Sequence, residues 1–137
     1  MASIGIILNP FSGKDLRRLT TNASIVTNQE KVNKVFRMIL SMNSFGIEKV
    51  WLMPDAFSVN DSVLAKMKSR PDLDIEVEVL DFEPYGTYLD TMHAAEEMAA
   101  RGVGCIIALG GDGTSRLIAR TNIDVPVISV STGTNNA

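Results

Sequence analysis

Three short segments of the chain combine glycines with polar side chains in a way that could do chemistry. The densest is Gly110-Gly111-Asp112-Gly113-Thr114, with three glycines in four residues. Because glycine has no Cβ, the backbone can adopt φ > 0 and approach a ligand closely, and successive amides then point into one concavity. A helix beginning here would add the partial positive charge of its N-terminus. The segment therefore predicts an anion site suited to a di- or triphosphate.

Asp112 is the acidic residue of this segment. A carboxylate beside phosphate is electrostatically unfavourable unless it holds a cation or accepts a proton from an attacking hydroxyl. Asp112 is therefore a candidate for holding a cation or for accepting such a proton. The alternative is a tight turn in which Asp112 is an ordinary helix cap, although a turn alone would not require three glycines.

The second segment follows the first strand-like run and combines a glycine turn with three cations. It is not a P-loop, because Leu8 occupies the position of that motif's first glycine and Asp15 that of its Ser/Thr. The stretch from Asn9 to Val26 is long for a strand-to-helix connection, where about 2–6 residues are usual. Cations on such a loop predict a phosphate clamp, and the alternative is a solvated charge cluster. The predicted binding residues are Asn9, Pro10, Ser12, Gly13, Lys14, Arg17 and Arg18.

The third segment follows the last strand-like run and places hydroxyls and amides on a glycine turn. These groups suit hydrogen bonding to ribose, base or phosphate. They are also ordinary turn formers, so the prediction depends on the position of the segment beside the other two. The predicted binding residues are Thr132, Gly133, Thr134, Asn135 and Asn136.

The elements that must position these segments alternate along the chain. Most of the strand-like runs are continuously apolar, which is typical of parallel strands covered on both faces. The third run alternates apolar and charged residues, so we place it at an edge of the sheet with one solvent-exposed face. The predicted strands are Ile4–Leu8, Lys49–Met53, Ile75–Leu80, Gly104–Leu109 and Pro126–Val130.

Helical patterns lie between the strands. The first begins at the capping box Thr27–Glu30 and ends at Gly46. The others begin at Ser58, near Thr87 (ending at Gly102) and near Thr114 (ending at Arg120). The alternation predicts right-handed crossovers and a three-layer α/β/α Rossmann-like domain with a mainly parallel five-stranded sheet. Ligands of such sheets bind at the carboxyl ends of the strands, near the point where strand order reverses.

Length and composition exclude several classes of protein. The 137 residues suit one domain, and the composition, 45% hydrophobic and 21% charged, is that of a globular protein. A formal charge of −3 argues against a nucleic-acid partner, and no apolar run predicts a membrane span. The single cysteine, Cys105, fits a reducing cytoplasm. His93 has no partners at metal-ligand spacing, so no metal site built from protein side chains is predicted.

Taken together, the three segments resemble the NAD kinase/diacylglycerol kinase superfamily. The GGDGT motif of that superfamily is intact at residues 110–114, an NPxSG-like segment stands at 9–13, and a GTxN segment at 133–136. The resemblance covers the whole chain in order. The combination is most similar to the ATP-NAD kinase-like proteins associated with acetoin catabolism.

The resemblance implies phosphoryl transfer from ATP, or from polyphosphate, to a hydroxyl, with Mg²⁺ bridging phosphate oxygens. The expected acceptor is the 2′-OH of the NAD adenosine ribose, which Asp112 would activate to give NADP. Leu117 departs from the glutamate usual in lipid kinases of the superfamily, and Arg116 departs from the apolar residue of typical NAD kinases. Another hydroxyl acceptor, a lipid or small metabolite, and a non-catalytic nucleotide-binding or regulatory module stay open as alternatives.

The resemblance also implies a second, β-rich domain, with the active site in the cleft between the two. Nothing in residues 1–137 would build that domain. We therefore expect residues 1–137 to be the N-terminal nucleotide-binding domain of a longer protein, truncated and inactive or incomplete alone. The full-length protein is expected to be a cytoplasmic homo-oligomer.

Overall fold

The computed structural model describes residues 2–8, 21–54, 59–83, 88–110 and 112–130, with the backbone alone for residues 21–28 and Asp112. Within these ranges strands and helices alternate from the first element to the last. They are β1 (Ser3–Leu8), α1 (Thr21–Ser44), β2 (Lys49–Leu52), α2 (Val59–Lys68), β3 (Glu76–Val79), α3 (Leu89–Ala100), β4 (Cys105–Leu109), α4 (Asp112–Ala119) and β5 (Val127–Val130).

The five strands form one sheet in the order β3-β2-β1-β4-β5, and every neighbouring pair is parallel. Each predicted strand is present, with its ends displaced by no more than one residue. The prediction that the alternating strand lies at an edge is confirmed, because β3 pairs with β2 alone and exposes Glu76 and Glu78.

One face of the sheet is covered by α1 and α2. Val32, Val35 and Ile39 form the buried stripe of α1, as their helical spacing predicts, and Ile39 has no exposed surface. Each such aliphatic side chain contributes about 1.5–3 kcal/mol on burial. The rest of this core comes from α2 and from alternate residues of β1, β2 and β4.

The opposite face is covered by α3 and α4, which completes the predicted three layers. Ala94, Met98 and Ile118 are buried here against Ile7 and further residues of the sheet. The packing is close: a methyl group added at Gly5 of β1 would lie 2.3 Å from Sδ of Met98. The small residue in β1 is what allows α3 to approach the sheet.

Two turns lead from a helix into the next strand with the same geometry. Gly46 follows α1 with a φ of +84°, and Gly102 follows α3 with a φ of +77°. In the first turn the N–H of Ile47 donates to the carbonyl of Met42 at 3.0 Å, and in the second Val103 donates to the Met98 carbonyl at 3.3 Å. These are Schellman motifs, and both predicted helix stops are confirmed.

The predicted helix starts were less accurate. α1 begins at Thr21 rather than Thr27, so the capping-box pattern lies inside the helix. Other residues of the types that cap helices also precede Thr27. The spacing of one Thr and one Glu does not show which of these residues begins the helix. α2 begins at Val59, α3 at Leu89, and the expected starts at Ser58 and Thr87 lie outside the described residues.

β5 also differs from expectation. Its apolar sequence predicts a strand covered on both faces, yet Val127 is 36% exposed and Ile128 51%. β5 is the second edge of the sheet, and neither helix layer extends fully over it within the described residues.

Candidate functional site

The sheet reverses its winding direction between β1 and β4. From β1 the chain proceeds outward to β2 and β3, and it then returns to the other side of β1 to form β4 and β5. Leu8 and Leu109, the last residues of β1 and β4, are register partners, so the segments that follow them begin at the same level. The next helices, α1 after β1 and α4 after β4, cover opposite faces of the sheet. Parallel sheets of this kind bind ligands in a crevice at such a point.

β5 brings the third predicted segment to the same edge. Leu109 is in register with Val130, the last residue of β5, and the N–H of Gly110 donates to the Val130 carbonyl at 3.0 Å. The three segments therefore begin at three neighbouring strand ends. The segments at 9–20 and 131–137, with Gly111, lie outside the described residues, so the predicted roles of the residues there stay predictions.

Helix α4 begins at this edge, two residues earlier than the predicted start at Thr114. Its first residue is Asp112, a residue type that is favourable at helix N-termini because it offsets the macrodipole. Thr114 is buried, with 2% of its surface exposed, and anchors the first turn. The first N–H groups of an α-helix have no carbonyl partner within the helix, which makes the start of α4, at the sheet's carboxyl edge, suitable for an anion.

Gly113 lies in this first turn, and nothing in the described part of the chain requires glycine there. Its φ is not positive, contrary to the conformation expected for the glycine run. Apart from the backbone of α4 itself, a methyl group added there would meet no described atom within 4 Å. Alanine would favour the helix by about 0.5–1 kcal/mol. The open space against this backbone is what a closely bound ligand would need.

Two serines fix α4 against β5. Ser115 and Ser129 share a hydrogen bond of 2.5 Å between their hydroxyl oxygens. Sequence analysis did not single out this pair, because the contact depends on α4 lying over β5 and not on local spacing. The pair holds the start of α4 in place relative to the end of β5.

Lys31 is another residue that sequence analysis missed. It lies on α1 and is 2% exposed, although a buried lysine is costly to desolvate. The sequence does contain a signal, because Lys31 precedes Val35 by four residues and so falls on the buried stripe.

His93 and Cys105 are two further residues whose side chains could take part in chemistry. His93 is on the exposed side of α3 and stacks on Phe82 with ring centroids 4.2 Å apart. Cys105 is partly buried, and this burial raises the pKa of its thiol, which disfavours the reactive thiolate. Among the described side chains there is no cluster of three or more potential metal ligands. No described helix is both long and apolar enough to span a membrane.

The fold and the strand-order reversal define a doubly wound parallel α/β domain with a glycine-rich helix start at its ligand edge. The family model of the ATP-NAD kinase N-terminal domain matches residues 4–137. The chain belongs to this family, as the resemblance predicted.

Among curated proteins, the chain is similar to acetoin catabolism protein X of Cupriavidus necator. The two are 40% identical over 137 residues, which cover 98% of this chain and 38% of the relative. The chain thus spans well under half the length of that relative. No solved structure was found that matches the chain.

Proposed function

We propose that this domain binds a nucleotide through its phosphates at the carboxyl edge of the sheet and forms the donor-binding part of a kinase. The observation that carries the proposal is the start of α4 at the strand-order reversal, with open space against Gly113. Membership of the ATP-NAD kinase N-terminal domain family supports it.

The proposed roles follow from the chemistry of each segment. The N–H groups at the start of α4 would donate hydrogen bonds to phosphate oxygens, and Lys14, Arg17 and Arg18 would neutralise the phosphate charge. The hydroxyls and amides of residues 132–136 would hydrogen-bond ribose or base. Asp112 would accept the proton of the acceptor hydroxyl. Phosphoryl transfer depends mainly on such positioning and charge stabilisation.

Magnesium fits this donor set. Mg²⁺ is commonly bound by one or two carboxylates together with substrate phosphates, and Asp112 is the carboxylate of the glycine-rich segment. When bound, the ion would neutralise phosphate charge. Asp112 would hold it or face it across the phosphates.

We propose NAD as the acceptor, with its adenosine 2′-OH phosphorylated to give NADP, and a role in acetoin catabolism. The family supports the first proposal and the name of the relative supports the second. We further propose that residues 1–137 are one domain of a longer enzyme that is cytoplasmic and homo-oligomeric. The coverage of 38% of that relative supports the greater length. The longer protein would supply the remainder of the acceptor site.

Binding can be tested on the 137-residue chain by NMR titration. Mg·ATP, tripolyphosphate, NAD and adenosine are added in separate titrations. Recognition led by phosphate predicts that ATP and tripolyphosphate shift the amides of Gly110, Gly113 and Thr114 and compete with each other, while adenosine does not. The amides of Gly46 and Gly102, at the opposite edge, serve as controls. If ATP at about 10 mM shifts no amide at the carboxyl edge, the proposed site is wrong.

The reaction is tested on the complete protein encoded by the gene. With Mg²⁺, ATP or polyphosphate, and NAD, it should produce NADP detectable by chromatography. Turnover of a different alcohol without NADP would identify another acceptor. Tight nucleotide binding without turnover of any hydroxyl compound would identify a regulatory module instead of an enzyme.

A further inference from the structure

The two edge strands of the sheet meet solvent in different ways. β3 exposes Glu76 and Glu78, and Lys49 of β2 binds both carboxylates, at 3.4 and 2.7 Å. The hydrogen bond that Lys49 donates to Glu78 raises the pKa of Lys49, so this cation stays charged beside the two carboxylates. Charged side chains on an edge strand prevent pairing with further strands. β3 is therefore built as a permanent edge.

β5 has none of these features. Its sequence, Val-Ile-Ser-Val, contains no charged residue, and it exposes Val127 toward α4 and Ile128 toward the other face. Ile128 is half exposed, although isoleucine is among the most commonly buried residue types. A short apolar strand that is exposed on both faces is suited to pairing with a further strand rather than to forming the edge of a sheet.

The hydrogen-bonding groups of β5 identify the open side. The carbonyls of Pro126 and Val130 accept N–H groups from β4, at 2.9 and 3.0 Å. In a parallel ladder alternate residues point the same way, so Val127 and Ser129 direct their N–H and C=O groups away from β4. A sixth strand could pair with these two residues.

A groove beside β5 would receive the side chains of such a strand. It has a volume of about 260 Å³ and lies between α4 and β5. Its walls combine aliphatic side chains with hydroxyl groups, and no lining side chain is ionisable; the lining residues are Ser115, Ile118, Ala119, Thr121, Ile123, Val125, Val127 and Ser129. Uncharged side chains fit this lining, while charged ones would be desolvated without partners.

We propose that β5 is covered by an uncharged strand from the polypeptide that lies outside this domain in the longer protein. The matched relative supports this source, since most of its length falls outside the 38% that matches. A second copy of this chain is the alternative occupant, and the experiments below distinguish the two. The proposal does not depend on the nucleotide site.

Hydrogen exchange with single-amide resolution tests this on the 137-residue chain and on the complete protein encoded by the gene. The amides of Val127 and Ser129 should exchange rapidly in the short chain and at least ~100-fold more slowly in the complete protein. Val77 and Val79 are the internal control. Glu76 and Leu80 donate to β2, so the two valine amides face the open edge of β3 and should exchange equally in both proteins.

A matched pair of substitutions separates docking from general stability. Ile128→Lys and Leu89→Lys alter residues that are equally exposed, at 51%. Both should leave the melting temperature of the short chain nearly unchanged. In the complete protein, Ile128→Lys should abolish the protection of Val127 and Ser129, and Leu89→Lys should not.

Three results would overturn the proposal. One is equal exchange of Val127 and Ser129 in the two proteins. Another is a reading frame that ends at residue 137. The third is a dimer of the short chain, seen by sedimentation, in which these amides are already protected, because a second copy would then be the occupant.

Discussion

The two ends of the parallel strands are built differently. At the amino edge, the turns after α1 and α3 are both four residues long, both contain a glycine of positive φ, and both close with the same hydrogen bond. At the carboxyl edge, the described glycine of α4, Gly113, has an ordinary φ and free space around it. The fold alone explains the glycines at the amino edge, but it does not explain the glycine at the carboxyl edge.

This difference distinguishes glycines that the fold requires from a glycine that ligand binding would require. Gly46 and Gly102 are required by backbone conformation, and Gly5 by the packing of Met98. Gly113 disfavours its own helix and relieves no contact in the described structure. A residue that costs stability without a structural benefit indicates a requirement imposed by a ligand.

Asp112→Asn should give the largest effect. It removes the proposed proton acceptor at the carboxyl edge while keeping a side chain that suits a helix N-terminus. Phosphoryl transfer by the complete protein should fall about 10²–10⁴-fold, with thermal stability nearly unchanged. The measurement is kcat with saturating Mg·ATP. A kcat within a few-fold of the wild-type value would show that Asp112 is not catalytic and acts only as a helix cap.

Gly5→Val tests a glycine required by packing. The new side chain would collide with Met98, which is fully buried, and overpacking of this kind costs about 1–3 kcal/mol. Urea unfolding of the 137-residue chain measures the loss. Adding Met98→Ala should recover part of it by making room. A double variant no more stable than Gly5→Val would place the strain elsewhere.

Gly102→Ala tests the amino edge. Alanine at a φ of +77° is strained even though no atom lies within 4 Å of the added methyl. We expect a loss of about 1–2 kcal/mol in the free energy of unfolding, with nucleotide affinity unchanged. Weaker binding of Mg·ATP by this variant would contradict the assignment of the amino edge to stability and of the carboxyl edge to ligand binding.

Much of the fold could be predicted from the sequence because its signals are local. Five apolar runs located the strands, the alternation of Glu and Val placed β3 at an edge, and two glycines marked the helix stops. The starts of α1 and α4 were predicted too late. Several cap-forming residues stand near each start, and helix propagation rather than one capping pattern decides among them.

The site was predictable in position but not in detail. The motifs identified three strand ends, and the strand order places those ends side by side. The Ser115–Ser129 contact, the buried Lys31 and the exposure of Ile128 could not be predicted, because they depend on how helices lie over the sheet. The roles of the residues around 9–18 and 132–136 stay predictions.

The most direct test compares Gly113→Ala with Gly104→Ala. At Gly104, at the amino end of β4, an added methyl would make an ordinary 3.5 Å contact with the Ser3 carbonyl oxygen. Unfolding free energy and Mg·ATP affinity are measured on each variant of the 137-residue chain. Gly113→Ala should be more stable by about 0.5–1 kcal/mol yet bind ATP at least ~10-fold more weakly, while Gly104→Ala binds normally. Undiminished ATP binding by Gly113→Ala would contradict the claim that this backbone is kept open for phosphate.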